Sequence, residues 1–91
     1  MNGKIGVFDS GVGGLSVLRE IHRLLPHIPT LYFADQKHVP YGPRPHAEIY
    51  DFVREVAEFF INQGAEVIVL ACHAASAAAL YPLREHYPHI Q

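Results

Sequence analysis

Apolar residues fall along this chain in two kinds of pattern, short unbroken runs and longer stretches with helical spacing. Lys4-Ile-Gly-Val-Phe8 is a short apolar run between turn residues and reads as a buried strand. Leu15, Val17, Leu18, Ile21 and Leu24-Leu25 then recur at helical spacing until Pro26, which cannot continue a helix. Thr30-Leu-Tyr-Phe-Ala34 is rich in β-formers and predicts a second strand. Asp35 to Pro45 contains Pro40, Gly42, Pro43 and Pro45 and reads as a loop. From His46 the helical interval returns at Ile49, Phe52, Val53, Val56, Phe59 and Phe60, with Gly64 as the residue just past the helix end. Glu66-Val-Ile-Val-Leu-Ala71 is the third strand, and its unbroken hydrophobicity predicts cover on both faces. A last helix is expected from about Ala75 to about His86, stopping before Pro88.

The order β-α-β-α-β-α, with connections long enough for right-handed crossovers, predicts a three-layer α/β unit around a small parallel sheet. Three strands are few for a sheet. One of them is expected to be an edge with an exposed apolar face, so residues 1–91 read as one portion of a larger α/β domain. The tail Pro88-His-Ile-Gln91 offers no closing element, and truncation is the expectation. No internal repeat, low-complexity segment or linker interrupts the chain.

Composition narrows the function classes. A net charge of −2 gives no electrostatic reason to expect nucleic-acid or membrane binding. A single cysteine cannot form an intramolecular disulfide, so nothing points to an oxidising compartment. Met1-Asn-Gly-Lys-Ile-Gly lacks the features of a secretory signal, and no apolar run approaches the roughly 18 residues of a membrane helix. A cytoplasmic location is the default expectation.

Parallel sheets bind ligands beyond the carboxyl ends of their strands. Here those ends carry Asp9-Ser10, Asp35 and Cys72-His73, bringing two acids, a hydroxyl, a thiol and an imidazole to one edge. Each has a plainer reading. Asp9 and Ser10 are also favoured helix caps and turn formers. Cys72 is either a small core residue or a reactive thiol at a strand-to-helix junction, where the helix N-terminus favours thiolate. The small residues Ala74, Ala75, Ser76 and Ala77 leave room for a ligand, or simply for close helix packing.

Several alternatives fall away or recede. Gly11-x-Gly13-x-x-Ser16, with Asp35 after the next strand, approaches a dinucleotide fingerprint. Ser16 replaces its third small residue, however, and Asp9 would repel a pyrophosphate. A P-loop lacks its Lys-Ser/Thr, and a phosphatase Cys-x5-Arg loop fails at Ala78. His22, His27, His38, His46, His86 and His89 are scattered, and His73 beside Cys72 has no second pair at zinc-like spacing, so no metal is expected. Neither Lys4 nor Lys37 is placed to hold a pyridoxal cofactor.

The blocks Ile5-Gly-Val-Phe-Asp-Ser-Gly-Val-Gly-Gly-Leu15, Asp35 with Pro40-Tyr-Gly42, and Ala71-Cys72 with Ala75-Ser-Ala77 together resemble the N-terminal part of glutamate racemases, in the aspartate/glutamate racemase superfamily. The resemblance spans nearly the whole chain, in order and spacing. It implies a flavodoxin-like racemase domain, and a cofactor-independent exchange of L- and D-glutamate that supplies D-glutamate for peptidoglycan. Two cysteines on opposite sides of the substrate α-carbon transfer the proton in such enzymes. Cys72 aligns with the first, Asp9 with an acid that assists it, and Ser10 with a substrate-binding hydroxyl. Tyr41 and Gly42 align with a substrate-contacting loop. His73 and Ala74 stand where the family commonly has Asn and Thr, so Ala74 lacks a hydroxyl and His73 offers a bulkier donor. The second cysteine, on the family pattern, lies beyond residue 91. By the same analogy the small-molecule partner is glutamate and the assembly a homodimer. Two other functions stand beside this one: a one-cysteine relative of decarboxylase type, and a non-catalytic nucleotide- or anion-binding module built on the glycine loop.

Overall fold

The computed structural model describes residues 3–11 and 14–91. Its elements are β1 (Lys4–Asp9), α1 (Gly14–Leu24), β2 (Thr30–Ala34), a 3-10 turn over Gln36–His38, α2 (His46–Asn62), β3 (Ala65–Leu70) and α3 (His73–His86). The three strands form one parallel sheet in the order β2-β1-β3. The fold is α/β with a small parallel sheet, as the pattern predicts.

Strand periodicity explains the layers. Side chains alternate between faces, so Gly6 and Phe8 share one face of β1 while Ile5, Val7 and Asp9 share the other. On the first face, a Cβ on Gly6 would meet the Phe60 ring at 2.5 Å, so glycine here admits α2 closely to the sheet. Phe8 joins Tyr41, Ile49, Val53, Phe60, Ala75 and Ala79 in one core cluster, with Leu31, Ile68 and Leu70 packed against it. The register places those three beside Gly6 and Phe8 on the same face. Helices α2 and α3 pack on each other and on β3 to cover it. Helix α1 packs on β1 and reaches β2 through His22, whose Nε2 lies 2.7 Å from Thr30 Oγ1 on the opposite face. The result is the three-layer arrangement.

Phe8, Phe60, Ile49, Val7 and Val53 are the largest fully buried side chains. Each contributes about 1.5–3 kcal/mol of hydrophobic stabilisation relative to exposure. The end of α2 shows why its sequence stops where it does. Gly64 adopts φ +96°, and its carbonyl accepts the Lys4 N–H at 3.1 Å, tying the helix exit to β1.

Several expectations need correction. Strand β3 is not covered on both faces: it is half-buried over most of its length, whereas β1 is buried from Ile5 to Asp9. Hydrophobicity reports what a strand can bury, but β1 takes the centre of the sheet, and α1 leaves Val67 and Val69 half-exposed. The final helix starts at His73 rather than near Ala75, because the Cys72 carbonyl already accepts the Ser76 N–H at 2.9 Å. That helix also runs through Pro82. The Asp35–Pro45 loop contains a 3-10 turn, and its Val39–Pro40 peptide is cis. The tail is not free of the sheet. Gln91 N–H donates to Glu66 O at 3.1 Å and Ile68 N–H donates to Gln91 O at 2.7 Å, the hydrogen-bond pattern of a parallel neighbour on the β3 edge.

Candidate active site

The chain leaves β1 for β2 on one side and returns to β3 on the other, so the order reverses between β1 and β3. Open α/β sheets bind ligands at such a reversal, beyond the carboxyl ends of the strands. Ladder bonds continue past those ends and hold them in register: Asp35 N–H donates to Asp9 O, and Ala71 N–H to Phe8 O, both at 2.8 Å. Ser10 follows β1 and Cys72 follows β3. Ser10 Oγ and Cys72 Sγ lie 3.1 Å apart.

Cys72 is half-buried in extended backbone, φ −140° and ψ 126°, at the N-cap of α3. Its side chain does not cap the helix, leaving the thiol free to face Ser10. The small residues after it serve packing first: Ala75, Ala78 and Ala79 are buried in the core. Ala74 packs against that core from a half-buried position, and His73 is exposed on the first turn of α3.

Asp9 is 4 % exposed and its carboxylate is already engaged. Oδ2 accepts the N–H of Gly14, the first residue of α1, at 2.5 Å and the Tyr32 hydroxyl at 3.4 Å. A Cβ on Gly14 would come within 2.9 Å of the Asp9 side chain, so the glycine lets this carboxylate sit at the helix start. Burial, then the Asp9 charge and hydrogen bond, raise the Tyr32 phenol above its ordinary value. Asp9 therefore occupies the donor at the start of α1 that an anion-binding glycine loop would offer to a ligand. Gly13 of that loop lies outside the described residues.

Tyr41 is 3 % exposed, its ring tilted against Phe8 and Phe52 at centroid distances of 6.1 and 6.0 Å. Its hydroxyl donates to Asp35 Oδ2 at 2.6 Å. Burial first, then the hydrogen bond and charge of Asp35, and then Cys72, push the Tyr41 phenol far up, so it remains a protonated donor. Gly42 is exposed, with open space where a Cβ would stand. Asp35, 7 % exposed, also receives His38 Nδ1 at 2.8 Å. The His38 ring stacks on Phe52 at 3.8 Å, and Arg44 Nε donates to the His38 carbonyl at 2.8 Å.

The structure thus joins Ser10 to Cys72 and sets Tyr41 close by, while the Asp9 carboxylate binds Gly14 and Tyr32 rather than Cys72. Sequence reasoning missed Tyr32 and His38. Strand alternation could have placed Tyr32 on the Asp9 face, but His38 looked like one more scattered surface histidine. No group of three or more His, Cys, Asp or Glu among the described residues is arranged to hold a metal ion. No helix among them is long and apolar enough to cross a membrane. An apolar cavity of about 110 Å³ lies away from this edge, beneath the tail, between Ile68, Leu80, Leu83, Tyr87 and Ile90.

No family model matches the chain. The glutamate racemase of Stutzerimonas stutzeri is 54% identical over 86 residues, covering 94% of this chain and 33% of the relative. The chain is homologous to glutamate racemases. The solved racemase of Thermus thermophilus, in complex with β-chloro-D-alanine, superposes with a TM-score of 0.89 at 49% identity, covering 98% of this chain and 35% of that one. The Escherichia coli racemase, in complex with L-glutamate and the activator UDP-MurNAc-Ala, gives 0.83 at 40% identity, covering 93% and 32%. These relatives are amino-acid racemases, a class of isomerase. The chain spans about a third of the length of the racemases it matches.

Proposed function

We propose that residues 1–91 are the N-terminal portion of a glutamate racemase and form half of a two-thiol active site. The observation that carries this reading is the meeting of the Ser10 hydroxyl and the Cys72 thiol at the β1/β3 reversal. An amino-acid α-proton is weakly acidic, so its removal needs a positioned base and stabilisation of the charge that develops on the carboxylate. Cys72, as thiolate, takes the α-proton from one face. A second thiol, supplied from outside these 91 residues, delivers a proton to the other face and inverts the centre. No cofactor enters the sequence of steps.

Ser10 donates to the substrate and to the sulfur in turn, while the Tyr41-Gly42 loop and the His73-Ala74 turn line the site. Exposed His73 supplies a ring donor, and Ala74 leaves space without a hydroxyl. Asp9 acts by keeping the β1–α1 turn, and with it Ser10, in place. D-glutamate formed this way serves peptidoglycan synthesis in the cytoplasm, and a homodimer is the expected assembly.

The test is alkylation of Cys72 by iodoacetamide in the purified chain, followed by mass spectrometry, with racemisation assayed in parallel. Glutamate is expected to slow alkylation, ATP and NAD to leave it unchanged, and no D-glutamate to form from L-glutamate without the second thiol. Protection by nucleotide alone would favour the binding module that the glycine loop suggests. D-glutamate formation that disappears in Cys72→Ser would overturn the need for a second thiol and favour one-cysteine chemistry.

A further inference from the structure

We propose that Asp35 is a positioning residue for this site: its one carboxylate binds the Tyr41 hydroxyl and the His38 ring nitrogen, and so holds the 35–45 loop closed against the Cys72 edge of the sheet. The inference rests on the reading of Cys72 as the acting thiol. Asp35 has no part in the proton transfer described above, yet it is buried and both its oxygens are engaged. Oδ2 receives Tyr41 at 2.6 Å, and Oδ1 and Oδ2 lie 2.9 and 2.8 Å from His38 Nδ1. Its own N–H is fixed to Asp9 O at 2.8 Å, so the carboxylate is anchored to the central strand.

The two residues it binds flank the cis Val39–Pro40 bond, so both arms of the loop converge on one group. Other ties act around that group. Arg44 Nε donates to the His38 carbonyl, Arg44 N–H donates to Tyr41 O at 2.9 Å, and the Arg44 guanidinium lies 5.3 Å from the Phe52 ring on which His38 stacks. None of these satisfies the Tyr41 hydroxyl. A buried hydroxyl without a partner turns toward water. Losing Asp35 would therefore release the Tyr41 ring from its place beside Phe8 and the cluster on which Cys72 packs. Water and reagents would then reach the half-buried thiol more readily.

The experiment compares second-order rates of Cys72 alkylation by iodoacetamide in wild type, Asp35→Ala, Asp35→Asn, Tyr41→Phe and the Asp35→Ala/Tyr41→Phe double variant. Circular dichroism checks each fold. Asp35→Ala is expected to react at least about fivefold faster, and Asp35→Asn, which restores an acceptor for Tyr41, to recover most of the protection. The double variant is expected to react no faster than the faster single variant, since coupled residues are not additive. An Asp35→Ala rate within about twofold of wild type, or effects that multiply in the double variant, would overturn the proposal. If Asp35→Ala does not fold, Tyr41→Phe decides, and an unchanged rate there overturns it. The readout needs no glutamate, so a failure of the racemase reading shows separately, as the absence of protection by glutamate.

Discussion

On the α2/α3 face of the sheet, Phe8, Ile49, Val53 and Phe60 are sealed from water, whereas on α1 Leu15 is 50% and Leu24 65% exposed. The first face is close-packed, down to a glycine on β1 that makes room for a phenylalanine ring. The second buries Ile5 and Val7 of β1 but is otherwise thinly covered, and it carries polar groups as well: Asp9 with Tyr32 and Gly14, and Thr30 with His22. One face thus supplies most of the stability, and the other fixes a turn. The candidate site lies where both meet, because Ser10 leaves the strand whose two faces differ, and Cys72 begins a helix of the packed face.

The sharpest way to break that comparison is truncation on each side. Phe60→Ala is expected to cost about 3–5 kcal/mol in urea denaturation, whereas Leu24→Ala should stay within about 0.5 kcal/mol. Similar losses would mean that α1 shares the core equally. Asp9→Ala tests whether the polar face contributes through its turn. Leaving the buried Gly14 N–H without its acceptor should cost about 1–3 kcal/mol, and proton NMR should show the Gly14 amide shifting upfield. A neutral effect would mean that Asp9 is held for chemistry rather than for the turn. A further test lies in the turn that closes the packed face. Gly64→Ala forces an L-residue to φ +96° and should lower stability by about 1–2 kcal/mol, read as a drop in the denaturation midpoint. No change there would show the α2–β3 turn relaxing at little cost.

Much of this was legible in the chain. Periodicity placed every strand and α-helix, because burying one face of a helix or both faces of a central strand leaves a regular trace in residue order. It erred where that trace is ambiguous. Val67 and Val69 read as buried on both sides, yet hydrophobic content cannot tell a central parallel strand from its neighbour. His73 and Ala74 fell just before the expected helix start, because neither is a marked helix starter. Alanine spacing alone could not separate ligand room from packing, and Ala75, Ala78 and Ala79 turned out to pack. His38 stayed invisible as a partner of Asp35, since a bond between two loop residues has no period.

Residue order by itself determined the element sequence and which polar groups stand at strand ends: Asp9-Ser10, Asp35 and Cys72. These come from short-range physics, since apolar runs become strands and the residues just after a strand lie at a sheet edge. Only the tertiary structure decided which of those groups meet. The order β2-β1-β3 makes Ser10 and Cys72 neighbours, turns Asp9 toward α1, and sends Tyr41 to Asp35. The Ser10–Cys72 pairing spans 62 positions in sequence, and even the short-range pairs depend on how sheet, helices and loop close around a shared core.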